Sequence, residues 1–253
     1  MFFLCTPIIV ILLITSRLTK SDMEGYVVGG DYTTITRYPH SVFLEMKCQE
    51  IFVCGGSLIT NQLILTAGHC VYGCNRHHSI LLKYGSDNLD RMQPKIATKF
   101  VLHQNYDEST MDCDIAIVLA AKPIPMGKFV KRVSLLSIYN KHSKTAWIAG
   151  WGVINERQED TVKLKHTIQK LQSPRVCHLI GDIPRGSFCA GQIQGGGTPA
   201  KGDSGSAIVI ENYIQIGLTS FKHPQYSLVV YTNTTYHYNW ISKMASRLTC
   251  STL

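Results

Sequence analysis

Lys201-Gly202-Asp203-Ser204-Gly205-Ser206 sets one serine between glycines and directly behind an acid. As plain structure the stretch is a tight turn, because glycine is the residue turns tolerate best. As chemistry it is a nucleophile with space around it. A serine that attacks a carbonyl needs a base to take its proton, a buried carboxylate to orient that base, and backbone N–H donors for the oxyanion. Glycines beside the serine let the main chain approach a substrate. Two earlier segments supply the other parts, Leu65-Thr66-Ala67-Gly68-His69-Cys70 and Asp112-Cys113-Asp114-Ile115-Ala116-Ile117. None of the three decides anything alone, since His69 is one of ten histidines. Together they place His, Asp and Ser in chain order.

Further motifs surround them in a fixed sequence: Val27-Val28-Gly29-Gly30, Cys54-Gly55-Gly56-Ser57-Leu58-Ile59, Gly150-Trp151-Gly152, Cys189-Ala190-Gly191 and Tyr231-Thr232. With these the chain resembles the chymotrypsin-like serine endopeptidases, from Val27 to about Leu248. The resemblance implies an all-β fold: two six-stranded antiparallel Greek-key barrels, a C-terminal helix, and an active site in the cleft between barrels. It implies Ser204 as nucleophile, His69 as base and then acid, and Asp114 as the group that holds the imidazole tautomer. The N–H groups of Gly202 and Ser204 would bind the oxyanion, and no cofactor is called for. The family is also made as zymogens, in which a freed Val27 ammonium would fold inward and pair with Asp203. The residue before Val27 is Tyr26, where a trypsin-activated zymogen carries Arg or Lys. An activating protease that cuts the Tyr26-Val27 bond is therefore expected to prefer aromatic side chains.

The same resemblance locates the primary specificity pocket. Its floor falls on Thr198, where trypsin-like members have Asp, so a bound Arg or Lys would be a stranded charge. Ser220, Phe221 and Lys222 stand where Ser-Trp-Gly is usual, and Val229 replaces a wall glycine. Both changes narrow the slot and lead to an expected preference for small or medium apolar side chains. Lys222 reads most simply as a solvated loop lysine; turned inward, it would recruit an acidic side chain instead. Other departures are small: Ser206-Ala207 where Gly-Pro is usual, and Gly68 where Ala is usual. Two family disulfides are absent, with Ala200 at one end of the first and Ala146 and Ile210 at the ends of the second.

Nine cysteines become eight if Cys5 leaves with a signal peptide, an even number that suits an oxidising compartment. The family pattern pairs Cys54 with Cys70 and Cys177 with Cys189. Cys48 and Cys74 flank the first bridge and are expected to pair, which leaves Cys113 for Cys250. The spacing is wrong for paired Cys-x-x-Cys ligands, so no metal is expected. Asp87 and Asp90 lack a glutamate cluster for calcium. Asn233-Thr234-Thr235 is an N-glycosylation sequon.

Length and composition agree with this reading. The 253 residues are 45% hydrophobic and 17% charged with 20 glycines, which excludes a disordered tail, a collagen repeat and a coiled coil. Met1 to Thr15 is almost wholly apolar, too short to span a bilayer of about 30 Å, and reads as a secretory signal over 1–16 in preference to a retained anchor. A short pro-segment (17–26) and a peptidase domain (27–253) follow. Short strand-like runs suggest a first barrel over 40–121 and a second over 131–234, separated by the Pro-containing stretch from Lys122 to Lys128. Tyr236, Trp240, Met244 and Leu248 at four-residue spacing suggest a helix over 235–248. The formal net charge of +8 raises nucleic acid as a partner, but no dense Lys/Arg cluster supports it. The expected molecule is a secreted monomer, free of the membrane after signal removal, whose partners are protein or peptide substrates, its activator and protein inhibitors. The competing reading from another class is a non-catalytic homologue that binds partners through the same fold.

Overall fold

The computed structural model describes residues 30–75, 79–139, 143–153, 161–223 and 225–250. The signal, the pro-segment and Val27 lie outside them. In chain order the strands are β1 (Asp31–Tyr32), β2 (Ser41–Lys47), β3 (Ile51–Leu58), β4 (Leu63–Thr66), β5 (Ser79–Tyr84), β6 (Gln93–Leu102) and β7 (Ala116–Ala120). They continue as β8 (Ser134–Leu135), β9 (Thr145–Gly150), β10 (Lys165–Lys170), β11 (Ser187–Gly191), β12 (Ala207–Ile210), β13 (Ile214–Lys222) and β14 (Leu228–Asn233). The α-helices are α1 (Pro174–Cys177) and α2 (Tyr238–Cys250).

The first half closes into the expected six-stranded barrel, in the order β2-β3-β4-β7-β6-β5. β5 shows why: its residues alternate between the barrel interior and the outside, with Ile80, Leu82 and Tyr84 buried. The second half is an antiparallel sheet, β1-β10-β9-β12-β13-β14-β11, with β8 added parallel to β13. It curls into a barrel-like half in which the Leu171↔Ala190 bridge and the Gln172 N–H to Cys189 O bond tie the end of β10 across to β11. Beyond Leu171 the chain turns into α1, whose first residue, Pro174, has no N–H to extend a ladder. β12 and β13 form a hairpin, because Glu211 and Asn212 between them both adopt left-handed φ, 53° and 63°.

A layer including Phe43, Ala149, Trp151, Ala207 and Val209 packs the two halves together. Phe43 and Trp151 meet edge to face with ring centroids 6.3 Å apart. The helix begins later than the four-residue spacing suggested. Asn233 Oδ1 accepts hydrogen bonds from the N–H groups of Thr235 and Tyr236, and this Asx-type turn holds the chain out of the helix until Tyr238. The buried stripe is consequently Ile241, Met244 and Leu248, packed on the first barrel, while Tyr236 is exposed. The sequon asparagine is half-buried at this corner.

Disulfides join Cys48 to Cys74, Cys54 to Cys70 and Cys177 to Cys189. The expected Cys113–Cys250 bridge is absent: both are free thiols. Cys113 sits within 4.8 Å of ring nitrogens of His103 and His237, before the start of α2, whereas Cys250 ends that helix. A rise of about 1.5 Å per residue separates those ends by roughly 20 Å, several times the Cα separation of roughly 6 Å that a bridge requires. Peptide mapping after alkylation without reductant should therefore find Cys113 and Cys250 modified, Cys250 first because it is exposed. A recovered Cys113–Cys250 cross-linked peptide would refute this.

Candidate active site

The three chemistry-bearing segments come from both halves. Asp114 lies just before β7, after Cys113, whose left-handed φ of 51° turns the chain sharply inward. Its carboxylate is fully buried and satisfied by three donors. The His69 backbone N–H gives to Oδ1 at 2.8 Å, and His69 Nδ1–H gives to Oδ2 at 2.9 Å. Ser220 Oγ–H gives to the same Oδ2 at 2.5 Å. Thr232 Oγ–H binds the Asp114 main-chain carbonyl at 2.9 Å. A carboxylate with this many donors is fixed in place as a hydrogen-bond acceptor. His69 follows β4, and the Cys54–Cys70 bridge ties the next residue to β3.

Ser204 is fixed through its backbone. Its carbonyl accepts from Gly55 N–H at 2.7 Å, and the Gly205 N–H gives to Thr219 O at 2.8 Å. Gly205 has φ +80°, and a Cβ there would lie 2.6 Å from Gly55 O and 2.8 Å from Ala67 N. Only glycine fits this close approach, which sets Ser204 against the segment that leads to His69. No hydrogen bond joins the His69 and Ser204 side chains; catalytic contacts of this kind often tighten only with substrate. Among the described residues, the N–H groups of Gly202 and Ser204 donate to no protein acceptor.

Asp203 turns away from Ser204. It is buried, and its two oxygens accept from Gly152 N–H at 2.8 Å and Ala200 N–H at 2.9 Å. Burial pushes its pKa up to about 6, with those two backbone bonds pulling the other way. Its expected partner, Val27, lies outside the described residues. Of the pocket residues, Thr198, Ser220 and Val229 are buried, Phe221 pairs with Val230, and Lys222 pairs with Val229 across the β13–β14 ladder. Lys222 Nζ donates to Thr198 Oγ1 at 2.9 Å.

Two features escaped the sequence reading. Ser220, counted as a pocket wall, also binds the buried carboxylate. A cluster of His103, Cys113 and His237 packs beside Asp114, and burial lowers the His237 pKa to about 4. His103 Nδ1 in that cluster already accepts the Asn105 N–H at 3.2 Å, which places the ring proton on Nε2. The other cysteine-histidine grouping, Cys54, His69 and Cys70, contains a disulfide and so offers no thiolate.

Two β-units that meet along a packed layer, with a histidine–aspartate pair from one and a glycine-flanked serine from the other, are the architecture of chymotrypsin-like serine endopeptidases. The trypsin family model matches residues 27–241, and the chain belongs to that family. It is 29% identical over 250 residues to trypsin eta of Drosophila melanogaster, covering 92% of this chain and 94% of that one. Among solved structures it is similar to HL collagenase, with TM-score 0.78 and 25% identity over 86% of this chain and 97% of that one. It is similar also to scabies mite inactivated protease paralogue S-D1, with TM-score 0.77 and 26% identity over the same shares.

Proposed function

We propose that this chain is an active, secreted serine endopeptidase, made as a zymogen opened between Tyr26 and Val27, and not trypsin-like in specificity. One observation carries the reading: Asp114, buried between the two halves, takes His69 Nδ1–H on one oxygen while Ser220 and the His69 backbone fix its orientation. With Nδ1 protonated, Nε2 presents a lone pair and can serve as base. Ser204 Oγ attacks the scissile carbonyl and passes its proton to His69. The tetrahedral oxyanion is received by the N–H groups of Gly202 and Ser204, each such donor being worth about 3 kcal/mol of barrier. His69 then protonates the leaving amine, and water releases the acyl group by the reverse sequence. The family acts on protein substrates, and three disulfides suit an oxidising compartment. No helix among the described residues is long and apolar enough to cross a membrane. An aromatic-preferring activator, protein inhibitors and glycosylation at Asn233 belong to the same reading.

The fold by itself does not separate an active member from an inactive one, since a protein named as an inactivated paralogue shares it. That likeness raises the second reading, a non-catalytic homologue that acts by binding, without favouring it. A fluorophosphonate probe decides between them. Protein processed to begin at Val27 should be labelled, and Ser204→Ala should abolish labelling. Absence of label on correctly processed protein would end the enzyme reading.

A further inference from the structure

The segment that ends at the pocket floor leaves β11 at Gly191 and reaches Thr198 before the chain turns toward Ser204. Its own sequence specifies it weakly. Gly195, Gly196 and Gly197 follow one another, the first two at φ +69° and +78°, and residues 192–196 are exposed. Glycine loses more backbone freedom on ordering than any other residue, so such a loop does not hold its end in place by local preference. Yet Thr198, at that end, is 1% exposed. No cysteine lies between Gly191 and Ser204, and Ala200 stands at one end of a missing family disulfide.

Two glutamines, one on β10 and one just beyond it, reach across to this segment. Gln169 is fully buried, and its Nε2 donates to Gly197 O at 2.6 Å and to Ile168 O at 3.1 Å. Its Oε1 accepts from Tyr231 Oη–H at 3.4 Å. The amide thus has one orientation that satisfies all three neighbours, because both carbonyls need a donor. Gln172 Nε2 donates to Gly191 O at 2.7 Å. The segment is therefore tied at both ends, Gly191 and Gly197. At Gly191 the fit is close: with φ +119°, a Cβ there would collide with Ser227 O and lie 3.4 Å from Gln169 Oε1. Tyr231 is itself fixed on β14, stacked on Phe188 with ring centroids 5.5 Å apart. An apolar side chain in place of Gln169 would leave the Gly197 carbonyl and the Tyr231 hydroxyl without this partner, inside a buried network that is stable only when complete.

We propose that Gln169 is a positioning residue of the primary pocket, with Gln172 as its second anchor. The pair braces the segment from Gly191 to Thr198, so that the floor stands in one place when a substrate side chain enters. The proposal rests on the endopeptidase reading above. The side-chain hydrogen bonds of both glutamines end on this segment, on Ile168 and on Tyr231, and none goes to His69, Asp114 or Ser204. Their effect falls on which side chain the pocket accepts, and the chemical step is left alone.

The test compares wild type with Gln169→Met, which keeps length and removes the amide, and with Gln172→Met at a half-buried position. Protein processed to begin at Val27 is given peptides that differ only at the residue before the scissile bond: Gly, Ala, Leu or Glu. The preference for the best side chain over Gly, as a ratio of kcat/KM, should fall roughly tenfold in Gln169→Met and roughly threefold in Gln172→Met. Cleavage of the Gly peptide and the rate of fluorophosphonate labelling should stay within about twofold, which a damaged fold would not permit. Hydrogen exchange gives a readout independent of catalysis: in Gln169→Met the amides of 192–198 should exchange about tenfold faster while those of β9 and β10 are unchanged. Unchanged preference and unchanged exchange would overturn the brace and leave the catalytic reading intact. Equal losses on the Gly peptide and on labelling would overturn it too, by showing support of the whole site. If Gln169→Met does not fold, Gln172→Met decides by the same measurements. Wild-type protein that takes no label would end the endopeptidase reading, and the exchange rates would still show whether the glutamines hold the segment.

Discussion

Asp114→Asn should lower kcat by about 10⁴-fold with little change in KM. The buried carboxylate accepts three hydrogen bonds at once, two of them from His69. An asparagine of the same shape can accept on one side only. If its carbonyl oxygen keeps the His69 backbone N–H, its amide NH2 faces Nδ1, which must then be the unprotonated nitrogen. The ring proton moves to Nε2, the base is lost, and the imidazolium that forms on proton transfer has no counter-charge. Ser220 Oγ–H loses its acceptor as well, a cost of about 1–3 kcal/mol for a buried donor. Because the change acts on the chemical step and touches no pocket residue except Ser220, the loss should appear in kcat. Steady-state kinetics with one substrate, beside circular dichroism to show an unchanged fold, checks it. A loss below tenfold would remove Asp114 from the mechanism.

The sequence carried the parts of this site that are local and obscured the parts that are not. Gly202 to Gly205 and Gly68-His69-Cys70 announce themselves because the chemistry needs small residues next to reactive ones, and that requirement is written in adjacent positions. The Ser220–Asp114 bond spans 106 residues and depends on how β13 of one half is laid against the loop of the other. No local pattern encodes it. The reach of Lys222 to Thr198 similarly follows from the register of β13 on β14, which a strand signal alone leaves free. The cysteines show the same division. Cys54, Cys70, Cys177 and Cys189 sit in recognisable motifs, and Cys48 with Cys74 follows from flanking them. Cys113 and Cys250 pair only by elimination, which parity suggests but the length of α2 prevents. A periodic stripe does not locate the start of α2, because it says nothing of the asparagine side chain that caps the preceding turn.

Asp203→Asn should reduce the kcat/KM of processed protein roughly a thousandfold while removing a pH dependence from the unprocessed chain. Among the described residues Asp203 meets backbone N–H groups and no cation, and burial pushes its pKa up to about 6 from the ordinary carboxylate value of 3.8. A folded-state value above the unfolded one means that the native protein holds this proton more tightly. The group's contribution is thus fully present below about pH 4 and is lost as the pH rises through about 6, amounting to about 3 kcal/mol. For a chain of this size that corresponds to a fall in Tm of roughly 10 °C, absent in the asparagine variant. Processing at Tyr26-Val27 would supply an ammonium to the buried carboxylate and reverse the sign, so that ionised Asp203 stabilises the mature form at neutral pH. The buried charge that weakens the precursor would then be the force that draws the new N-terminus inward and orders the adjoining Gly202 and Ser204 N–H groups. Melting curves from pH 4 to 8, taken before and after processing, test both halves of this argument. Identical pH profiles for wild type and Asp203→Asn in the precursor would show that Asp203 is no such switch.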